Sequence, residues 1–275
     1  MKRFGLIRVQ DDEGVLNVGG RVGAARGPVV MSKYLDALKG FEENNSKIIE
    51  TVDVYPDSGG ISKTHQNICE DILRLEKKGL ISIVIGGGHD HVFPQIQAYA
   101  KSGKNLGCIN IDAHFDLRAP NPKVNSGSPF YLAIEGGFLD PKNLIEFGIQ
   151  KQSNNKEVTA YALKKKVKTR WFNELRNGNA VVEFKKELSQ LLKSVDHFIL
   201  SVDLDAFSES FAPGVSAPQT EGFTSSEGIE MIEIAAESKK CISMGIFELN
   251  PLFDQESKTA RLAATLIWKW IGAKK

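Results

Sequence analysis

Six residues able to bind metal fall at the ends of three apolar runs. ISIVIGGGHDH reaches His89, LGCINIDAHFD reaches Asp112, His114 and Asp116, and HFILSVDLD closes on Asp203 and Asp205. Each run reads as a buried strand, so each is expected to carry its acids and imidazoles to one edge of a sheet. Stripping a carboxylate of water costs several kcal/mol unless a cation or partner compensates it. Six such residues arriving together ask for a metal site. Asp112, His114 and Asp116 alternate along the chain, so continued extended backbone would turn them to one side; Asp203 and Asp205 repeat the spacing. His89 follows three glycines, which let the backbone turn tightly. Four carboxylates and two imidazoles exceed the needs of one divalent ion, whereas two ions sharing carboxylates fit the count. Mixed oxygen and nitrogen ligation without thiolate favours Mn²⁺, with Fe²⁺, Co²⁺ and Zn²⁺ as alternatives. Such a pair lowers the pKa of the water between the ions and supplies hydroxide at neutral pH, a hydrolase's nucleophile. A single DxD after a strand serves equally as a helix cap or a loop salt bridge; three segments at equivalent strand ends favour the metal.

The elements that must position these residues alternate between apolar strands and amphipathic helices, the pattern of a mainly parallel sheet covered on both faces. Strands are predicted near Arg3 to Val9, Ser46 to Val54, Leu80 to Ile85, Leu106 to Ile111, Leu144 to Ile149, His197 to Val202 and Cys241 to Phe247. A helix from Ser62 to Lys78 carries Ile68, Ile72 and Leu75 on one face and ends at Gly79. Thr224 and Glu227 form a capping-box pattern opening a helix over Glu227 to Lys239, and a last helix runs from Lys258 to Ile271. The loops richest in Pro, Gly, Ser and Asn, Arg118 to Pro129 and Ser208 to Gly222, follow the acid-bearing strands and are expected to wall a substrate site. With no repeat and no linker, residues 1–275 are read as one α/β domain.

Lys plus Arg (35) nearly cancels Asp plus Glu (34), which argues against a nucleic-acid or acidic-membrane partner. The run Lys164, Lys165, Lys166, Val167, Lys168 is read as a solvated helix end. Met1 to Val9 lacks the apolar core of a signal peptide and no run reaches membrane-spanning length, so a cytoplasmic location is expected. Cys69, Cys108 and Cys241 lie apart and are expected to fill core space. His91 is assigned to orienting a nearby carbonyl, His65 and His197 to solvent, and Trp268 and Trp270 to rim and core.

In this order, GGGHD, NIDAHFD, SVDLDAF and ELNP resemble the motifs of the ureohydrolase (arginase and agmatinase) superfamily, and the likeness covers nearly the whole chain. GVLNVGGRVGAARGP (Gly14 to Pro28) is similar to its GxRxGAxxGP signature. NIDAHFDLR, SGSPF, APGVSAP and ELNPLFD with TARLAA look most like the formimidoylglutamase branch. The resemblance implies a three-layer α/β/α sandwich (arginase-like) and hydrolysis of N-formimidoyl-L-glutamate to L-glutamate and formamide. It also implies that His89, Asp112, Asp116 and Asp203 hold one Mn²⁺ and that Asp112, His114, Asp203 and Asp205 hold the other. Glu248 would take the substrate's amidinium or guanidinium group; on residues alone it could equally serve a structural ion pair.

Two features bear on substrate. Arginases and agmatinases usually carry a histidine in the loop after DAHxD, and the matching segment here, Asn125 to Ser128, has none, as in formimidoylglutamase-like sequences. Arg118, two residues beyond Asp116, offers a planar fork suited to a carboxylate and repels cationic agmatine; its alternative is a surface pair with Glu135. Ser126 and Asn154 are expected to add hydrogen bonds to substrate, with a structural loop bond as the alternative for Asn154, and Asp116 to pass a proton to the leaving nitrogen. The alternatives are a guanidino hydrolase releasing urea and a non-catalytic ureohydrolase-like subunit, the latter disfavoured because all six ligands are present. A phosphoesterase would need phosphate-binding glycine loops, for which GGGHD is the sole candidate. The expected partner is a small amidine or guanidino substrate, with self-association left open.

Overall fold

The computed structural model describes residues 2–40, 44–176 and 178–274. Its β-strands are β1 (Phe4–Val9), β2 (Ile48–Val54), β3 (Ile81–Ile85), β4 (Leu106–Ile111), β5 (Leu144–Ile149), β6 (Lys168–Trp171), β7 (His197–Asp203) and β8 (Cys241–Phe247). They form one sheet in the order β2-β1-β3-β8-β7-β4-β5-β6, with every neighbouring pair parallel. Side chains alternate between the two faces of each strand. Phe4 and Leu6 of β1 pack into one core while Ile7 and Val9 enter the other; Ile109 and Ile111 of β4 oppose Leu106 and Cys108 in the same way. Helices Gly27–Ala37, Ala180–Ser194, Ser225–Glu237 and Lys258–Ala273 cover the first face. Helices Ile61–Lys77, Val92–Ala100, Pro129–Glu135 and Lys156–Lys165 cover the second. The parallel sheet covered on both faces that the alternating pattern predicts, and the three-layer α/β/α sandwich that the resemblance implies, are therefore the architecture.

Local chemistry sets the element ends. After helix Ile61–Lys77, Gly79 takes φ +70°, and the bonds Leu80 N–H to Leu75 O and Gly79 N–H to Glu76 O close a Schellman motif. Thr224 and Glu227 make the reciprocal capping box, so that helix begins at Ser225 and ends at Glu237, two residues earlier than predicted at each end. Seven strands lie where the apolar runs predicted them. The eighth, β6, starts at Lys168 inside the basic stretch; only Lys164 and Lys165 end a helix, and Lys166 breaks it at φ +60°. A four-residue edge strand with every residue half-buried has no apolar run to announce it.

Two further expectations fail for packing reasons. His65 is buried within helix Ile61–Lys77, not solvated, because Asp90 lies against it. His91 is likewise fully buried and faces Asp90 and Asp11. Trp270 sits in the core with its ring edge-on to Phe4 at 5.5 Å, while Trp268 stays at the rim. The three cysteines are free and buried.

The sheet order has one consequence for the site. Strands β3, β8, β7 and β4 are consecutive in the middle of the sheet. Beyond their carboxyl ends come His89, Glu248, Asp203 with Asp205, and Asp112 to Asp116 in turn, so four distant stretches of sequence reach one place.

Candidate metal centre

His89 Nδ1 lies 3.1 Å from Asp112 Oδ2, 2.9 Å from Asp116 Oδ2 and 3.2 Å from Asp203 Oδ2. One ring nitrogen can share a proton with one of three oxygens at most, and none of the three contacts has hydrogen-bond geometry. His89 Nε2 instead meets Ser201 Oγ at 2.8 Å; with the proton donated there, Nδ1 presents its lone pair to the carboxylates. Phe247 stacks on the ring at 4.9 Å and Phe130 meets it edge-on at 5.8 Å, fixing its plane. Beside this group, His114 Nδ1 lies 2.9 Å from Asp205 Oδ2 and 3.7 Å from Asp112 Oδ1. The structure thus forms two ligand groups, His89, Asp112, Asp116, Asp203 and Asp112, His114, Asp205, with one oxygen of Asp112 turned to each. Asp203, which the resemblance gives to both ions, joins only the first group here, since its Oδ1 accepts the Asp205 N–H at 2.8 Å.

The local backbone differs from the extended stretch predicted. β4 ends at Ile111, and Asp116 adopts φ +47°, so the DAHFD segment coils and splits its ligands between the two groups. Asp203 is the last residue of β7 and Leu204–Ala206 form a 3₁₀ turn. The glycines before His89 serve close approach, not a left-handed turn: a Cβ on Gly87 would stand 1.9 Å from Asp11 O.

The electrostatics call for added positive charge. Burial opposes a charged His89, yet Asp112, Asp116 and Asp203 outweigh it and hold its pKa well above the usual imidazole value. Burial and neighbouring carboxylates push Asp116 up, Asp203 well up, and Asp205 to about 7. Asp112, although buried, is held low by His114 and His89. Protons are retained wherever a cation would relieve the crowding, so the donor set of two imidazoles and four carboxylates fits a pair of hard or borderline divalent ions.

Glu248 follows β8 with φ +70° and is buried. Its Oε1 accepts the His89 N–H at 2.9 Å, and its Oε2 has no partner. Among the described residues no lysine or arginine pairs with it, so the structural ion pair considered for it is not formed. Burial and Asp203 raise its pKa well above the carboxylate range.

These residues open onto a cavity of about 210 Å³ lined by His114, Asp116, Asp203, Asp205 and Glu248, with Arg118, Ser126, Gly127, Ser216 and the Val18–Gly20 turn completing the wall. Arg118 is half-buried, and no described carboxylate forms an ion pair with it; Glu135 is taken by Lys165 and Tyr161. Asn154 does not line the cavity. Its amide oxygen accepts the Phe115 N–H at 2.9 Å, and its NH₂ donates to Ala113 O and Gln150 O, so the contact with substrate expected of it is replaced by a grip on the DAHFD loop. Sequence reading missed Ser201, which orients His89 from within β7, and Ser216, whose Oγ accepts the Arg21 N–H at 2.8 Å. Their only sequence signal is membership of SVDLD and of APGVSAP.

Known proteins resemble this chain over nearly its whole length. A formimidoylglutamase of Staphylococcus carnosus is 30% identical over 277 aligned residues, which take in 97% of this chain and 85% of that protein. One from Geobacillus thermodenitrificans is 31% identical, over 92% of this chain and 79% of its own. Among solved structures, Trypanosoma cruzi formiminoglutamase with Mn²⁺ superposes with a TM-score of 0.87 at 26% identity, covering 99% of this chain and 93% of that one. Bacillus subtilis formimidoylglutamase shares the fold at a TM-score of 0.91 and 23% identity, over 99% and 87% of the two chains. The model of the arginase family matches residues 4–272. By that match and by these relatives, the chain belongs to the arginase family.

Proposed function

We propose that the chain is a formimidoylglutamase, a Mn²⁺-dependent hydrolase that cleaves N-formimidoyl-L-glutamate to L-glutamate and formamide. The observation that carries this reading is a buried carboxylate, Glu248, with one oxygen unpartnered, and a guanidinium, Arg118, lining the same cavity of about 210 Å³. The substrate matches that polarity, with a cationic amidinium at one end and two carboxylates at the other. The relatives that bear the formimidoylglutamase name support it.

His89, Asp112, Asp116 and Asp203 would hold one Mn²⁺, and Asp112, His114 and Asp205 the other. When bound, such a pair supplies an activated water at neutral pH and polarises the carbon under attack. Glu248 Oε2 accepts a hydrogen bond from the protonated formimidoyl nitrogen, and the Arg118 fork and Ser126 orient a substrate carboxylate. Asp116 would take up the proton released by the attacking water and deliver it to the departing glutamate nitrogen, since an amine leaves poorly as an anion. That relay needs no loop histidine. The reading also puts the enzyme in the cytoplasm, for which the three buried free thiols are the support. No described helix is long and apolar enough to cross a membrane.

A substrate panel on Mn²⁺-loaded protein, with product identification, tests the proposal. Formamide and glutamate are expected, and Arg118→Ala should lower kcat/KM for the dicarboxylate substrate by about 100-fold, the scale of a lost charge pair. Urea from agmatine, guanidinobutyrate or arginine would reassign the enzyme to guanidino hydrolysis, and unchanged selectivity in Arg118→Ala would move the carboxylate anchor elsewhere.

A further inference from the structure

A second cluster of ligand-type side chains stands next to the metal centre and lines no part of the substrate cavity. Asp11 follows β1, His65 lies on helix Ile61–Lys77, and Asp90 and His91 are in the turn after β3; each is 4% exposed or less. His65 Nε2 meets Asp90 Oδ2 at 2.8 Å. The other approaches are looser, 3.5 Å from His91 Nε2 to Asp90 Oδ2 and 3.9 Å from His91 Nε2 to Asp11 Oδ2.

Those longer spacings do not make hydrogen bonds, and Asp11 Oδ2, Asp90 Oδ1 and both nitrogens of His91 are buried without a hydrogen-bond partner. Native interiors rarely leave so many polar atoms unmatched in one place. Among the described residues no lysine or arginine forms an ion pair with either carboxylate. Ligand atoms held about 2.0–2.1 Å from a tetrahedral ion lie roughly 3.3 Å from one another, which falls within the range of separations seen here. The cluster is also packed tightly. The His65 and His91 rings meet edge-on at 5.7 Å, and a Cβ on Gly14 would fall 2.0 Å from Asp90 Oδ1, so the carboxylate is wedged in place.

We infer that His65, Asp90 and His91, with Asp11 beside them, form a separate, buried site for one divalent cation, with Zn²⁺ the ion that two imidazoles and a carboxylate suit best. The three side chains are buried and line no part of the substrate cavity, so the ion is structural. It ties helix Ile61–Lys77 to the turn that carries His89. The inference rests on this cluster alone and stands or falls apart from the identity of the substrate.

Because the cluster is buried, the metal must be present as the chain folds. Protein is therefore purified without chelator from cultures supplied with ZnCl₂ and MnCl₂, its metal content per chain is measured, and crystals are examined by anomalous diffraction at the zinc edge. An anomalous peak among the three side chains is expected, together with one metal equivalent fewer in His65→Leu and in His91→Leu than in the unsubstituted protein. Wild-type crystals with no anomalous density there, the imidazoles and carboxylates meeting directly, would overturn the site. So would His65→Leu protein retaining the full metal count. If both variants fail to fold, the wild-type diffraction measurement decides alone.

Discussion

Glu248 is a carboxylate kept among other carboxylates, held by one backbone N–H and by no described cation. Its free oxygen is worth retaining only if a cation visits. Glu248→Gln keeps an oxygen for the His89 N–H and removes the charge, so kcat/KM should fall by about 100-fold or more while the metal count stays at two per chain. Kinetics alongside metal analysis check this, and unaltered turnover would dismiss Glu248 as the amidinium anchor. Asp205 yields a pH prediction. Burial first and Asp112 next raise its carboxyl from 3.8 to about 7 in the metal-free chain. A carboxyl with a raised folded pKa favours the fold while protonated; that contribution is full below the unfolded value and lost as pH rises through the folded one. Chelator-treated protein should therefore lose thermal stability between roughly pH 4 and pH 7, whereas metal-loaded protein, with a cation in place of the proton, should not. Parallel unfolding scans of the two forms decide the matter.

At the scale of elements, the DAHFD loop is held by Asn154, which lies beyond a different strand. Removing three hydrogen bonds with Asn154→Ala should weaken metal affinity by about 10-fold while changing KM little. A raised KM with unchanged metal affinity would restore Asn154 to the substrate site. This residue also marks where sequence reading stops. His89, Asp112, His114, Asp116, Asp203 and Asp205 were legible because ionisable groups at the ends of apolar runs violate burial rules. Asn154 violates none, since loop asparagines bond to backbone everywhere. The split of DAHFD into two ligand groups was equally hidden, because it depends on Asp116 taking φ +47°, a conformation imposed by the surrounding packing. His65 was misread for a similar reason: one histidine on an amphipathic helix looks solvated until Asp90 is brought against it from after β3.

The sandwich as a whole was readable from seven apolar runs separated by helical patterns, since a parallel sheet buried on both faces must be continuous in hydrophobicity. β6 escaped because an edge strand need not be apolar; its Arg170 pairs with the buried Glu187 of helix Ala180–Ser194 and compensates that charge. Strand order was not readable, yet it makes the site, since β3, β8, β7 and β4 had to become neighbours. The last helix closes the first core through Trp270, so Trp270→Ala should cost about 3–5 kcal/mol. A chemical-denaturation midpoint measured on metal-loaded protein checks this; a loss below 1 kcal/mol, taken as roughly a surface-level effect, would mean that the helix docks without it.

Arg21 joins three stretches of chain around the mouth of the cavity. Its guanidinium donates to Ser216 O and Val215 O and lies 3.9 Å over the Phe253 ring, while its own carbonyl accepts from Asn250. The three cannot therefore diversify independently: a segment such as 208–222 transplanted from a relative with a different specificity would arrive without its clasp unless the partner at position 21 came with it. Selectivity in this scaffold is inherited as a linked set of loops, and exchange of single loops should fail where exchange of the set succeeds.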